Sequence, residues 1–246
     1  MSHHIVEADK LHYSYADGTA ALAGVSFRIA HGESVALVGE NGAGKSTLLQ
    51  QFTGCLFPSA GVIKIGGLTV DKENLAAVRR AVGMVFQNPD DQLFMPTVFE
   101  DVAFGLSNLG VTEAELEGKV MGALEVVGAA HLRARPPYRL SQGEKRAAAI
   151  AGVLAMSPDI LIMDEPTSSL DPMSRRRLIN LLKTFKHTKI IATHDLDFAL
   201  ELCERTIVIH KGSVTADGPT REVFSDDELL KRSSLERPGS FFTPFS

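Results

Sequence analysis

Nine consecutive residues, Gly39-Glu40-Asn41-Gly42-Ala43-Gly44-Lys45-Ser46-Thr47, carry the densest chemical signal in the chain. Glycines at 39, 42 and 44 let the backbone bend so that successive N–H groups point inward, an arrangement that suits an anion. Lys45 is long enough to reach the outer phosphates of a nucleoside triphosphate, and the Ser46 hydroxyl is placed to coordinate Mg²⁺. Such a loop works only if a strand leads into it and a helix leaves it. SVALVG is a short apolar strand ending on glycine, and KSTLLQQFTG reads as a helix capped by Gly54. The helix N-terminus adds its dipole to the same site. About half a dozen charge-assisted hydrogen bonds, each worth about 1.5–3 kcal/mol, account for micromolar binding of a nucleotide.

A phosphate loop alone is shared by kinases, GTPases and motors. The run ILIMD followed by Glu165 narrows the choice. Four apolar residues deliver Asp164 to a sheet edge, where its carboxylate can hold Mg²⁺ through water, and Glu165 is placed to orient or deprotonate an attacking water. A positioned base contributes about 10²–10⁴-fold in rate. Apolar strands often end in acidic residues for no chemical reason; the loop upstream gives this one its catalytic sense. Gln87 closes VGMVFQ and His194 closes KIIATH. Each alone is an ordinary structural residue. Together, at C-terminal strand ends where open α/β sheets bind ligands, they read as an amide near Mg²⁺ and an imidazole near the γ-phosphate.

These groups require a scaffold. Strands are expected before position 39, with a tight turn or hairpin at His31-Gly32, and VIKIGG signals a further strand pair. From Asp90 to Met156 three segments have apolar residues at three-to-four spacing and read as an inserted helical region. Afterwards ILIMDEP, KIIATHD and TIVIHKG alternate with helices, which implies a mainly parallel sheet covered on both faces. With 246 residues, 44% hydrophobic and 22% charged, the chain is large enough for one substantial domain. Its net charge of −5 argues against a nucleic-acid binder. Cys55 and Cys203 lack metal-ligand spacing and read as buried free thiols in a reducing, cytoplasmic setting. No signal peptide and no apolar run of about 18–20 residues is present, so any membrane is served from its surface through a partner.

At this point the chain resembles the ATPases of ABC transporters over essentially its full length. GENGAGKST corresponds to the family's Walker A loop, ILIMDE to Walker B, Gln87 to the Q-loop, Asp171 to the D-loop and His194 to the switch histidine. Tyr15 matches the aromatic residue that stacks on adenine. Leu140-Ser141-Gln142-Gly143-Glu144 stands where the family has LSGGQ, which implies that Ser141, Gln142 and Gly143 meet the γ-phosphate held by an opposite subunit. Two departures matter. Gln142 relaxes any left-handed backbone requirement, and Glu144 places a negative charge near a phosphate site, which Lys145 and Arg146 are positioned to offset. The implied fold is α/β of the P-loop NTPase (RecA-like) kind, with a parallel-sheet core, an N-terminal antiparallel β subdomain and an inserted α-helical subdomain. The expected bounds within a single domain 1–246 are 1–38 for the β subdomain, 39–89 and 157–225 for the core, 90–156 for the helices and 226–246 for a C-terminal tail.

About 54 residues separate Gln87 from Ser141, too few for the coiled-coil insertions of the superfamily's chromosome-maintenance branch. FQNPDDQLFMPTVFEDVAFGLSNLG and LSQGEKRAAAIAGVLAMSPDILIMDEP are similar to the energy-coupling-factor group, and most like its cobalt/nickel import ATPases. The resemblance implies ATP and Mg²⁺ as ligands, with Glu165, His194 and Lys45 catalytic. Residues 39–47, Tyr15, Gln87, Ser141, Gln142, Gly143, Asp171 and His194 would bind ATP, and Ser46, Gln87 and Asp164 the metal. It also implies a second ATPase subunit (homodimer or close paralogue), a transmembrane coupling subunit docking on Asp90, Asp91, Gln92, Leu93 and Phe94, and a substrate-binding membrane subunit. No nucleic acid is implied, and the place of work is the cytoplasmic face of the membrane, peripherally. Alternatives are the same role for biotin or another B vitamin, or a non-catalytic nucleotide-sensing regulator.

Overall fold

A computed structural model describes residues 4–168 and 170–241. Two sheets share the chain. The first is antiparallel, with order β2-β1-β4-β5, formed by β1 (His4–Ser14), β2 (Ala20–Ala30), β4 (Ala60–Ile65) and β5 (Leu68–Thr69). The second has order β10-β9-β3-β8-β7-β6. Its members are β3 (Ser34–Val38), β6 (Val82–Val85), β7 (Ile160–Asp164), β8 (Thr188–Thr193), β9 (Arg205–His210) and β10 (Ser213–Pro219). All its pairings are parallel except β10 on β9.

The central strands are apolar throughout because both faces are covered. Along β3, Val35 and Leu37 enter the core shared with the antiparallel sheet, while Ala36 and Val38 enter the core on the opposite face. Helix α1 (Lys45–Phe52) packs in the first core. Helices α6 (Pro172–Thr184), α7 (Leu196–Leu202), α8 (Thr220–Ser225) and α9 (Asp227–Arg232) supply the second. The short α2 (Leu75–Ala81) leads into β6. A third core joins α3 (Val98–Asn108), α4 (Glu113–Val126) and α5 (Gln142–Ala155).

The boundaries differ from expectation at the N-terminal side. β3 belongs to the parallel sheet, so His31-Gly32 is a turn that crosses from one sheet to the other rather than a hairpin, while β4 and β5 extend the antiparallel sheet. The composition of β3 accounts for this: all five residues are buried, whereas β2 and β4 alternate. Gly54 does close α1. At φ +64° it lies in left-handed space, with Cys55 N–H donating to Gln50 O and Gly54 N–H to Gln51 O. That turn pushes Cys55 outward, and the expectation of two buried thiols fails there; Cys203 is buried, and burial pushes its thiol up to about 12. Of the tail, α9 and the turn at 239–241 are described, while residues 242–246, with the last phenylalanines, lie outside the described residues.

Candidate active site

The register of the parallel sheet aligns four strand ends: Val38 sits opposite Thr193, Ala192 opposite Asp164, and Met163 opposite Val85. The phosphate-type loop, Asp164-Glu165, His194 and Gln87 all leave this one edge.

The loop's glycines serve different needs. Gly42 and Gly44, at φ +81° and +106°, occupy left-handed space, which a residue with a Cβ enters only at a cost. Gly39 does not. A Cβ there would stand 2.1 Å from the Ile209 carbonyl oxygen, so its smallness lets the loop lie against β9. The backbone N–H groups of Gly42, Gly44, Lys45 and Ser46 have no acceptor among the described residues, which leaves a concave row of donors at a helix N-terminus. Lys45 is buried, and its Nζ donates to the carbonyls of Gly39 (2.7 Å) and Glu40 (3.1 Å). Burial lowers its pKa, opposed by Glu165, Asp164 and Glu40. Asn41 is exposed and Ala43 buried, and Glu40 Oε1 lies 3.1 Å from His210 Nδ1. Tyr15 stands over the start of α1, its hydroxyl 2.7 Å from Thr47 Oγ1 and its ring edge-on to Tyr13.

Asp164 is buried, and burial raises its pKa, opposed by the Ser46 hydroxyl beside it. Its Oδ1 has no partner. A carboxylate beside a hydroxyl, with one buried oxygen free, suits a hard divalent cation that takes its other ligands from phosphate and water. Among the described residues no group of three His, Cys, Asp or Glu could hold a metal ion. Glu165 adopts φ +45°, its N–H tied to Ala192 O (2.8 Å). Its Oε2 accepts from Thr193 Oγ1 and His194 N–H (both 3.2 Å) and faces His194 Nδ1 at 2.8 Å. The candidate base is therefore held by two donors, with the His194 imidazole against the same oxygen. The His194 side chain is otherwise 64% exposed.

Ser141, Gln142, Gly143 and Asp171 are elsewhere. Ser141 caps α5: its Oγ accepts from Glu144 N–H, while Glu144 Oε2 accepts from Ser141 N–H (2.8 Å) and Oγ (2.9 Å). The departure to Glu144 thus completes a capping box. Its charge is offset by Arg135, 3.8 Å away, and not by Lys145 or Arg146 as expected. Those two turn toward the segment after β6, Lys145 pairing with Asp90 and Arg146 donating to the carbonyls of Phe86 and Gln87. Gln142 is the first residue of α5, outside left-handed space. Asp171 caps α6 through Met173 N–H, Ser174 N–H and Ser174 Oγ. These residues line a cleft of about 1050 Å³ between α4, α5 and α6. Gly39, Glu40, Asn41 and His194 line another of about 450 Å³, walled by residues 234–239, and the two clefts have no residue in common.

Sequence reasoning missed Thr193, which steadies Glu165, and Gly212, which donates to Ala43 O (3.0 Å) and accepts from Ala23 N–H (2.8 Å). It also missed the reach of Arg146. A signal existed for Arg146: it shares a helical stripe with Ile150 and Val153, and a cation on an apolar stripe marks an interaction. Of the expected docking residues, Leu93 packs on the helical core, while Phe94 is 64% exposed and stacks edge-on against Phe104.

The ABC transporter family profile matches residues 22–168. A protein of Geobacter sulfurreducens described as an ABC transporter ATP-binding protein is 63% identical over 97% of this chain and 96% of its own length. The energy-coupling factor transporter ATP-binding protein EcfA of Methanocaldococcus jannaschii is 45% identical, covering 96% and 86%. Among solved structures, cbiO1 of Clostridium perfringens, part of the ABC transporter complex cbiONQ, superposes with a TM-score of 0.82 at 41% identity, covering 94% of each chain.

Proposed function

Because the chain belongs to the ABC transporter ATP-binding family, whose members are ATPases coupled to transport, we propose that it powers an energy-coupling-factor importer for a transition-metal ion, cobalt or nickel. Likeness to EcfA supports the group and likeness to cbiO1, part of the cbiONQ complex, supports that assembly type; the cation as cargo comes from the sequence resemblance. Biotin or another B vitamin is the second reading, since the name EcfA carries no solute.

In this reading ATP stacks its base on Tyr15 and lays its phosphates along the N–H groups of residues 42–46, with Glu40 and Asn41 bordering the cradle. Lys45 turns from the Gly39 and Glu40 carbonyls to the β- and γ-phosphate oxygens. Ser46 and Asp164, with Gln87, would hold Mg²⁺, which would supply charge neutralisation at the outer phosphates. Glu165 takes a proton from water as the water oxygen bonds to the γ-phosphorus and the bond to the bridging oxygen breaks, leaving ADP and phosphate. A γ-phosphate competes with Glu165 for His194, which frees the base. Ser141, Gln142 and Gly143 of a second chain, with the N-terminus of its α5, close over the phosphate, and Asp171 lies in the same contact. Residues 90–156 act as the arm that offers this lid, and Phe94 with Phe104 faces a transmembrane coupling subunit that works with a substrate-binding membrane subunit. Among the described residues no helix is long and apolar enough to cross a membrane, and in this reading the protein attaches peripherally at the cytoplasmic face.

The observation that carries the catalytic reading is the unpartnered, buried Oδ1 of Asp164 beside Ser46 at the foot of the donor row. The test is reconstitution with its membrane subunits. Turnover should rise with the complex, Glu165→Gln should abolish it while trapping an ATP-bound dimer, and vesicles should accumulate Co²⁺ or Ni²⁺. Biotin uptake without metal uptake would select the second reading.

A further inference from the structure

Arg146 is buried to 4% exposure, yet among the described residues it forms no ion pair. Its guanidinium spends its donors on the Phe86 carbonyl (2.6 Å), the Gln87 carbonyl and, more distantly, Ser168 Oγ (3.4 Å). The one carboxylate acting on it through space is Asp164. Burying a cation against neutral acceptors is costly unless each donor is satisfied, so the hydrogen-bond geometry around Arg146 is tightly constrained. Two more contacts run the same way. Lys145 pairs with Asp90, and the Gln92 side chain accepts from Phe86 N–H (3.2 Å) while donating to Ala149 O (3.0 Å) on α5. Residues 86–92 and the stretch of α5 from Lys145 to Ala149 are thus joined by three side chains, with Arg146 the buried one. At about 1.5 Å per residue, Arg146 lies roughly 7–8 Å along the helix from Ser141.

We propose that Arg146 is a positioning residue: by gripping the carbonyls of Phe86 and Gln87 from within α5, it makes the arrangement at Gln87 set the angle at which Ser141 and Gly143 are offered to the neighbouring chain. The proposal rests on the two-chain reading above. A spacer would only hold α5 in the fold. A tether transmits, because Gln87 and Asp164 lie at the same strand ends, so a ligand that moves the Gln87 backbone drags α5 with it.

Hydrogen exchange on the full chain carrying Glu165→Gln tests this. ATP should slow exchange both in residues 86–92 and in the first turn of α5. Adding Arg146→Gln should keep ATP affinity within about threefold and keep protection of 86–92, but lose protection of the α5 turn. It should also raise the ATP concentration for half-dimerisation at least tenfold, with Arg146→Lys recovering most of the loss. Should the Gln variant not fold, the Lys variant carries the test, with a shift of about threefold expected. Protection of the α5 turn persisting in a folded variant, or dimerisation at the parental ATP concentration, overturns the tether. A Glu165→Gln parent that binds ATP and couples the two peptides but never dimerises overturns the two-chain reading instead.

Discussion

Gly39→Ala adds one methyl group where the phosphate loop meets β9. The new carbon would sit 2.1 Å from the Ile209 carbonyl oxygen, 3.1 Å from Ala43 Cβ and 3.2 Å from the Ile209 carbonyl carbon. A carbon and a carbonyl oxygen in contact stand about 3.3 Å apart, so the loop must retreat by roughly 1.2 Å. Ile209 cannot give way cheaply, because it is fully buried in a strand laddered to β3 on one side and β10 on the other. Overpacking of this kind costs about 1–3 kcal/mol, and the upper end applies where the obstacle is sheet backbone. For a chain of this size that corresponds to a fall in Tm of roughly 6–12 °C. The same retreat moves the Gly39 carbonyl, 2.7 Å from Lys45 Nζ, and a misplacement near 1 Å is worth about 100-fold in affinity or rate. Gly42→Ala is the control: nothing lies within 4 Å of its added carbon, so only left-handed strain of about 1–2 kcal/mol applies. Urea unfolding without nucleotide, with Mg-ATP calorimetry on the same proteins, measures both effects. If Gly39→Ala destabilises less than Gly42→Ala, the close-approach argument is wrong.

Three further outcomes are expected. Asp164→Asn should stabilise the nucleotide-free protein while abolishing turnover: the folded carboxyl has a raised pKa, so its ionised form opposes folding once pH exceeds the unfolded value near 3.9. The gain in Tm should therefore be present at pH 7 and shrink toward pH 4 in thermal melts, and a loss of Tm at pH 7 would contradict it. Tyr15→Phe removes only a hydrogen bond to Thr47, so ATP affinity should fall by about threefold to tenfold in a binding titration, and Tyr15→Ala should fall further. Maleimide labelling of the native protein should modify Cys55 and spare Cys203, with both reacting in denaturant when followed by mass spectrometry.

The parts of the site that lie close in sequence, or that end apolar strands, were legible beforehand. Residues 39–47 state their own turn and helix, and ILIMD and KIIATH announce buried strands that must deliver Asp164 and His194 to one edge. What stayed hidden depends on the order of strands in space. That β8 lies between β3 and β7 decides that Glu165 meets Thr193 and His194, and no local pattern encodes that adjacency. The same holds for β3, read as part of the N-terminal β unit because it follows β2 closely, although its unbroken burial assigns it to the parallel sheet. Glu144 looked like a liability because a capping box depends on the backbone groups that a helix start leaves unpaired. Cys55 looked buried because the sequence alone does not reveal which way a helix-terminating turn throws its next residue.

Gly212 sits in the turn between β9 and β10, outside the nucleotide-site motifs in sequence. Its N–H holds the Ala43 carbonyl, its own carbonyl takes Ala23 N–H, and a Cβ there would press to 2.7 Å on the Ala21 oxygen that already crowds Gly44. Mechanically, this late hairpin is a hinge pin for the nucleotide cradle. An inherited change at Gly212 would accordingly masquerade as a weak-ATP phenotype, and a screen confined to the recognised motifs would search the wrong end of the polypeptide for its cause.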